Sequence, residues 1–205
     1  MAKVKRNLLG EYSGKAGNIV FAYGKGKTTF RSRVEEMTAE PSDSQKVVRN
    51  KFTVLARMGG ILSDVTRIGY DKNTHRSPQS FFVQENYNFL IEEPDNVSLD
   101  LSKLVLSKGS LPNLPALSKE ILTNSINYTW VYNNYGKRED EVFLIALNQL
   151  EENTLIAKSN RGTEKISMDI PEQWFGDDIY FYYFCLNAKT NKKSKNYFLG
   201  VEKFS

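Results

Sequence analysis

The chain holds a single cysteine and a single histidine in 205 residues. A lone thiol, Cys185, closes no internal disulfide and founds no cysteine-rich metal centre, and within the run IYFYYFCLN it reads as a buried apolar side chain. A lone imidazole, His75, excludes the usual multi-histidine metal sites and leaves any serine or cysteine nucleophile one candidate base. Placed beside Arg76 in a polar linker, it reads as solvated. Long apolar runs are missing too: no stretch approaches the roughly 18 residues of a membrane span. The opening residues MAKVKRNLLGEYSG lack the apolar core and small-residue cleavage site of a signal peptide, so the expectation is synthesis in the cytoplasm without export, and no membrane partner.

What is present describes a folded protein. Apolar residues make up 40% and charged residues 25%, and 11 Tyr, 12 Phe and two Trp supply more aromatic surface than a disordered chain carries. Charge is uneven. Residues 1–34 carry eight Lys or Arg (Lys3, Lys5, Arg6, Lys15, Lys25, Lys27, Arg31, Arg33) against one acid, Glu11, while the rest carries 20 bases and 23 acids. The whole excess of +4 therefore arises at the N-terminus. A concentrated positive segment favours a polyanionic partner, nucleic acid or an acidic protein surface.

Residues 18–34, NIVFAYGKGKTTFRSRV, alternate around a Gly-Lys-Gly-Lys centre. Ile19, Phe21 and Tyr23 fall on one face of the first run, and Thr28, Phe30, Ser32 and Val34 on one face of the second, which is the pattern of a β-hairpin. Ser42-Asp43-Ser44-Gln45, after Pro41, has the spacing of a helix capping box. From Val47 to Ile68 apolar residues recur at intervals of three and four, predicting a long amphipathic helix whose Gly59-Gly60 marks a kink or a close crossing. A second helix is expected over residues 79–92, ending before Pro94. Beyond it the character changes: strands are expected at 126–132, 141–148, 154–159, 164–170, 179–187 and 197–201, separated by turn residues such as Asn133-Asn134-Tyr135-Gly136.

Chemistry is scarce. Gly24-Lys25-Gly26-Lys27-Thr28 ends like a phosphate-binding loop, but the glycine needed five residues before Gly26 is Phe21, so the segment reads as a hairpin turn. The acidic clusters Glu35-Glu36, Glu92-Glu93, Glu139-Asp140-Glu141, Glu151-Glu152 and Asp177-Asp178 fall at apparent element ends and read as solvated rather than as catalytic pairs. No catalytic residue, cofactor or metal ligand is assigned. The hairpin interleaves Lys25, Lys27, Arg31 and Arg33 with Phe21, Tyr23 and Phe30, so phosphate contacts beside stacking rings are one reading of it. The other is one buried aromatic face and one basic face in water.

Several segments together carry a resemblance. Gly10 to Val20, with its Ser13-Gly14-Lys15-Ala16-Gly17-Asn18-Ile19-Val20, then Thr29 to Ser32, Pro41 to Phe52, Leu104 to Leu111 and Ser194 to Gly200, resemble a bacterial family of unknown function with an N-terminal Ser-Gly-Lys-x-Gly-Asn-x-Val motif and a β-rich C-terminal region. Where members carry Asn-Pro-x-Thr before the first long helix, this chain has Glu40-Pro41-Ser42-Asp43. The resemblance supports the layout and transfers no activity.

The fold expected is α+β. Residues 1–95 form a basic hairpin-plus-helices domain, and residues 96–205 an all-β immunoglobulin-like or fibronectin-type-III-like sandwich with Trp130 in its core. The function expected is that of a non-catalytic structural or assembly protein, a phage-particle or injection-apparatus component, whose partners are other protein subunits in a homo- or hetero-oligomer. Nucleic acid is the alternative partner. The partner-binding residues expected are Lys15, Lys25, Lys27, Arg31 and Arg33.

Overall fold

A computed structural model describes residues 2–3, 13–24, 26–33, 40–71, 76–93 and 96–205. The chain divides into two compact units, Met1–Gln45 and Lys46–Ser205.

The first unit is a four-stranded antiparallel sheet. The expected hairpin forms from β1 (Ile19–Gly24) and β2 (Lys27–Ser32), with Gly24 opposite Lys27 and Ile19 opposite Ser32. Gly14–Ala16 adds to the outside of β1, and Ala2–Lys3 to the outside of β2. Val34, expected to extend the second strand, lies outside the described residues.

Helix α1 (Asp43–Ile61) starts where the capping box predicts. The Gln45 amide donates to Ser42 Oγ at 3.4 Å, and the Ser42 amide donates to Gln45 Oε1 at 3.3 Å. The expected single long helix is interrupted at Leu62, where α2 (Ser63–Gly69) begins, although the Leu62 and Thr66 amides still reach back four residues to Met58 and Leu62. The glycine pair lies just before this break and marks a close crossing. A Cβ on Gly59 would sit 3.2 Å from both Gln79 Cγ and Phe82 Cδ1 of α3 (Pro78–Asn86). Helix α3 opens with Ser77 as its cap, accepting from the Ser80 amide at 3.2 Å, and with Pro78 in its first turn.

That second helix ends earlier than its apolar spacing predicts. After one 3-10 turn the chain becomes a strand, β3 (Leu90–Glu93), paired with β4 (Asn96–Leu99), so Leu90 and Ile91 belong to a hairpin and not to a helical face. Pro94 bars the helix from continuing, and pairing with β4 supplies the backbone of Leu90–Glu93 with partners instead.

The C-terminal half is antiparallel β-structure. Strands β5 (Ser118–Ile121), β6 (Ser125–Thr129) and β9 (Lys165–Asp169) make a three-stranded sheet with β6 in the middle. Strands β7 (Glu141–Asn148), β8 (Asn153–Asn160), β10 (Ile179–Asn187), β11 (Lys192–Lys193) and β12 (Tyr197–Glu202) make a five-stranded sheet in which β7 and β10 are central and β11 and β12 share the far edge of β10. The six predicted strands are all present; β5 and β11 were not foreseen.

The two sheets share one core. Val142, Leu144, Phe181, Tyr183 and Cys185 of the large sheet meet Ile126, Tyr128, Ile166 and Met168 of the small one, with Trp130 and Trp174 also buried there. The opposite face of the large sheet, Phe143, Ile145, Leu147, Tyr182 and Phe184, packs in a second core with Leu55, Met58, Leu62, Val65 and Phe82 of the helices. The expected division into residues 1–95 and 96–205 therefore does not match the packing. A helix layer whose apolar stripe is covered by the large sheet cannot form a domain apart from it, and the chain divides after Gln45 instead.

Candidate interaction surface

Strand alternation sorts the N-terminal sheet into two chemically different faces. Paired residues share a face, so the register sets Ile19, Phe21, Tyr23, Thr28, Phe30 and Ser32 on one side. Lys15, Val20, Ala22, Lys27, Thr29 and Arg31 occupy the other, with Lys15, Val20 and Arg31 in one row across three strands. Phe21 and Phe30 stand opposite each other with ring centroids 6.5 Å apart. They are half-buried, whereas Ile19 is 42% and Tyr23 36% exposed. The aromatic face is thus only partly covered.

Of the five residues expected to bind a partner, Lys15, Lys27 and Arg31 come together on the basic face and all are exposed. Arg33 lies just past the strand, its amide donating to Asn18 O at 2.7 Å. Lys25 lies outside the described residues, as do His75, Glu11 and the Glu35-Glu36 pair. Because rings and cations are on opposite faces, bases cannot stack on Phe21 or Phe30 while their phosphates reach Lys15 or Arg31. The stacking mode read from the interleaved sequence needs both on one face.

Two of the segments that carry the resemblance, Leu104 to Leu111 and Ser194 to Gly200, are joined inside the second unit. Residues 104–107 belong to no sheet, yet two amide side chains act as neighbouring strands for them. Asn86 donates to Val105 O at 2.9 Å and accepts from the Val105 amide at 2.7 Å. From the other side Asn196 donates to Leu104 O at 2.8 Å and accepts from the Leu106 amide at 2.9 Å. Ser107 Oγ donates to Ser194 O, and the Leu111 amide to Lys193 O, both at 2.8 Å. A Cβ on Gly109 would lie 2.1 Å from Lys193 O, so only glycine lets the two segments close. Their residue types serve a clasp.

One acid differs from its sequence reading. Asp140 is not solvated but buried, 3.7 Å from Nε of the equally buried Arg161. It also accepts from the Lys137 amide at 2.9 Å and from Asn187 Nδ2 at 2.6 Å, while Arg161 donates to the Pro112 and Asn113 carbonyls. Trp130 Nε1 closes the group by donating to Arg161 O at 2.9 Å. All these contacts tie loops to the sheet end. Cys185 lies nearby in the core, and burial pushes its thiol up to about 11, so it is a poor nucleophile at neutral pH. Burial also raises the Tyr70, Tyr128, Tyr182 and Tyr183 hydroxyls above the usual tyrosine value.

A cleft of about 880 Å³ lies against Tyr70, Asp71, Phe143, Asn191 and Lys193. Three of its four cations have partners: Lys193 holds Asp71, Lys108 holds Glu85 at 2.8 Å and Arg67 holds Asp64 at 3.3 Å, and Lys192 is the fourth. No group of three potential metal-binding side chains exists among the described residues, and no described helix is long and apolar enough to cross a membrane.

The family described as "Family of unknown function (DUF6266)" matches residues 11–200. Among solved structures, the chain is similar to the fn3 domain of the human collagen alpha-1(XX) chain at 11% identity, over 48% of this chain and 90% of that one, with a TM-score of 0.36. At that score the likeness does not assign the fold. No curated protein matches.

Proposed function

The chain belongs to DUF6266, a family of unknown function, and from its own residues we propose that it is a non-catalytic assembly protein docking through the aromatic face of its N-terminal sheet. The observation that carries this is the two-faced sheet, with Ile19 and Tyr23 exposed beside half-buried Phe21 and Phe30. The occupant proposed is a second copy. The described aromatic face carries no charge, so two such faces meet without repulsion, and the basic faces with Lys15, Lys27 and Arg31 turn outward into water. In this reading the three- and five-stranded sheets are an immunoglobulin-like or fibronectin-type-III-like sandwich that carries the docking unit, in a particle such as a phage or an injection apparatus. Sedimentation velocity of the full chain tests it: a mass above the monomer is expected, falling to the monomer in Phe21→Ser/Phe30→Ser. A wild-type monomer at all concentrations sinks it.

Nucleic acid is the second reading, favoured by the row of Lys15 and Arg31 with Lys27 on the same face. It predicts backbone contacts without base stacking, hence weak sequence preference and strong salt dependence. A mobility shift of duplex DNA at low salt, lost in Lys15→Ala/Lys27→Ala/Arg31→Ala/Arg33→Ala, supports it. Absence of any shift at low salt removes it.

A further inference from the structure

The N-terminal half of α1 is built like a core helix but is not covered like one. At 3.6 residues per turn, Val48, Phe52, Leu55, Gly59 and Leu62 form one stripe. Leu55, Gly59 and Leu62 are buried, while Val48 is 45% and Phe52 50% exposed. The stripe opens into a shallow groove of about 620 Å³ lined by Phe52 of α1 and by Val83 and Tyr87 of α3 and the turn after it, the Phe52 and Tyr87 rings packing as a tilted pair with centroids 5.9 Å apart. Val83 and Tyr87 are themselves only half-buried.

The rim of the groove is cationic. Arg49 and Lys51 fall on opposite sides of the Val48–Phe52 stripe. Lys51 lies 2.6 Å from Glu92 and 5.7 Å from the Tyr87 ring, which holds its ammonium above the usual lysine value. The guanidinium of Arg49 makes no hydrogen bond or ion pair among the described residues. Arg76 donates to Gln84, a groove residue, and stands over Phe81. Among the described residues three bases thus face one acid, Glu92. Antiparallel self-pairing about Val48 and Phe52 brings like flanks together and would press Arg49 of one copy against Arg49 of the other, so a second copy is disfavoured here, unlike at the uncharged face of the N-terminal sheet.

We propose that the groove between α1 and α3, walled by Phe52, Val83 and Tyr87 and rimmed by Arg49 and Arg76, docks an acidic amphipathic helix of another protein. Its apolar residues, spaced i, i+4 and i+7, seat on the Val48–Phe52 stripe, and its carboxylates meet the rim. This goes beyond the N-terminal docking face and does not rest on it.

The probe is a fluorescein-labelled 18-residue helical peptide (length about 27 Å at about 1.5 Å per residue) with leucines on one face and glutamates elsewhere, titrated by anisotropy against the full chain. A lysine-for-glutamate version is the control. Saturable binding of the glutamate peptide is expected, weakened about tenfold by Phe52→Asp or Val48→Asp and severalfold by Arg49→Glu. The lysine peptide should bind at least tenfold more weakly. Both altered apolar residues are exposed, and an unchanged thermal midpoint shows the variants folded. No binding, equal binding of the two peptides, or indifference to both aspartate variants overturns the proposal. A wild-type dimer that Phe52→Asp dissociates also overturns it, by making the occupant a second copy. The Phe21→Ser/Phe30→Ser variant should bind the peptide like wild type, which separates failure here from failure of the N-terminal reading.

Discussion

Arg161 and Asp140 are the most deeply buried charged residues among those described, and a charge moved from water into a protein interior loses several kcal/mol of hydration (~5 is a usual order). What offsets this is unequal between them. Asp140 keeps the Lys137 amide and the Asn187 side chain whether or not Arg161 is present, whereas Arg161 has only neutral carbonyls besides Asp140. Asp140→Ala should therefore destabilise more than Arg161→Met, by about 3–5 kcal/mol against about half that, read from urea unfolding midpoints. Equal losses would show that Arg161 does not depend on Asp140 more than Asp140 depends on Arg161. Cys185 gives a second expectation. Its thiol titrates near 9.0 when exposed and at about 11 when folded, so the unfolded chain loses its proton first and stability falls as pH rises between those values. The loss is about 1 kcal/mol by pH 10 and approaches about 3 kcal/mol above pH 11. The buried tyrosines add to it above about pH 10. Comparing unfolding free energies at pH 8 and 10, Cys185→Ala should narrow the wild-type drop.

At the scale of elements, the central strands β7 and β10 are buried along almost their whole length on both faces. Ile145, against the helices, is fully buried, so Ile145→Ala should cost about 2–5 kcal/mol, much as truncation on the small-sheet side would. This two-sided burial was written in the sequence. Val-Phe-Leu-Ile-Ala-Leu in β7 and Ile-Tyr-Phe-Tyr-Tyr-Phe-Cys-Leu in β10 do not alternate with polar residues, and an uninterrupted apolar strand needs cover on both sides. Their positions were legible for that reason, as was the start of α1 from its capping box. What covered the second face was not legible, because the apolar stripe of α1 and α2 is the same whether a helix packs on helices or on a sheet. Strand β5 escaped notice since Ser-Lys-Glu-Ile is exposed throughout and carries no apolar period. In the candidate surface the two faces of the hairpin followed directly from alternation. The buried Asp140 did not, because nothing in Glu139-Asp140-Glu141 marks the middle acid as the one that meets Arg161 some twenty residues later.

On the scale of the molecule, the unit Lys46–Ser205 holds both hydrophobic cores, so the fold of this part should not need the N-terminal sheet. A chain of residues 41–205, which keeps the Ser42 to Gln45 cap, is expected to unfold in one cooperative transition, with its thermal midpoint within about 5 °C of the full chain. Broad or multistep unfolding would show that the first unit contributes to the core. The large sheet has a further consequence. Since β7 and β10 give one face to each core, the two cores share a wall. A substitution that shifts β10 toward the small sheet withdraws Tyr182 and Phe184 from the helices by the same movement, so repairs to one core are constrained by the other. Sequence drift in this protein should therefore be slowest in these two strands and freest in β5, whose four residues are all exposed.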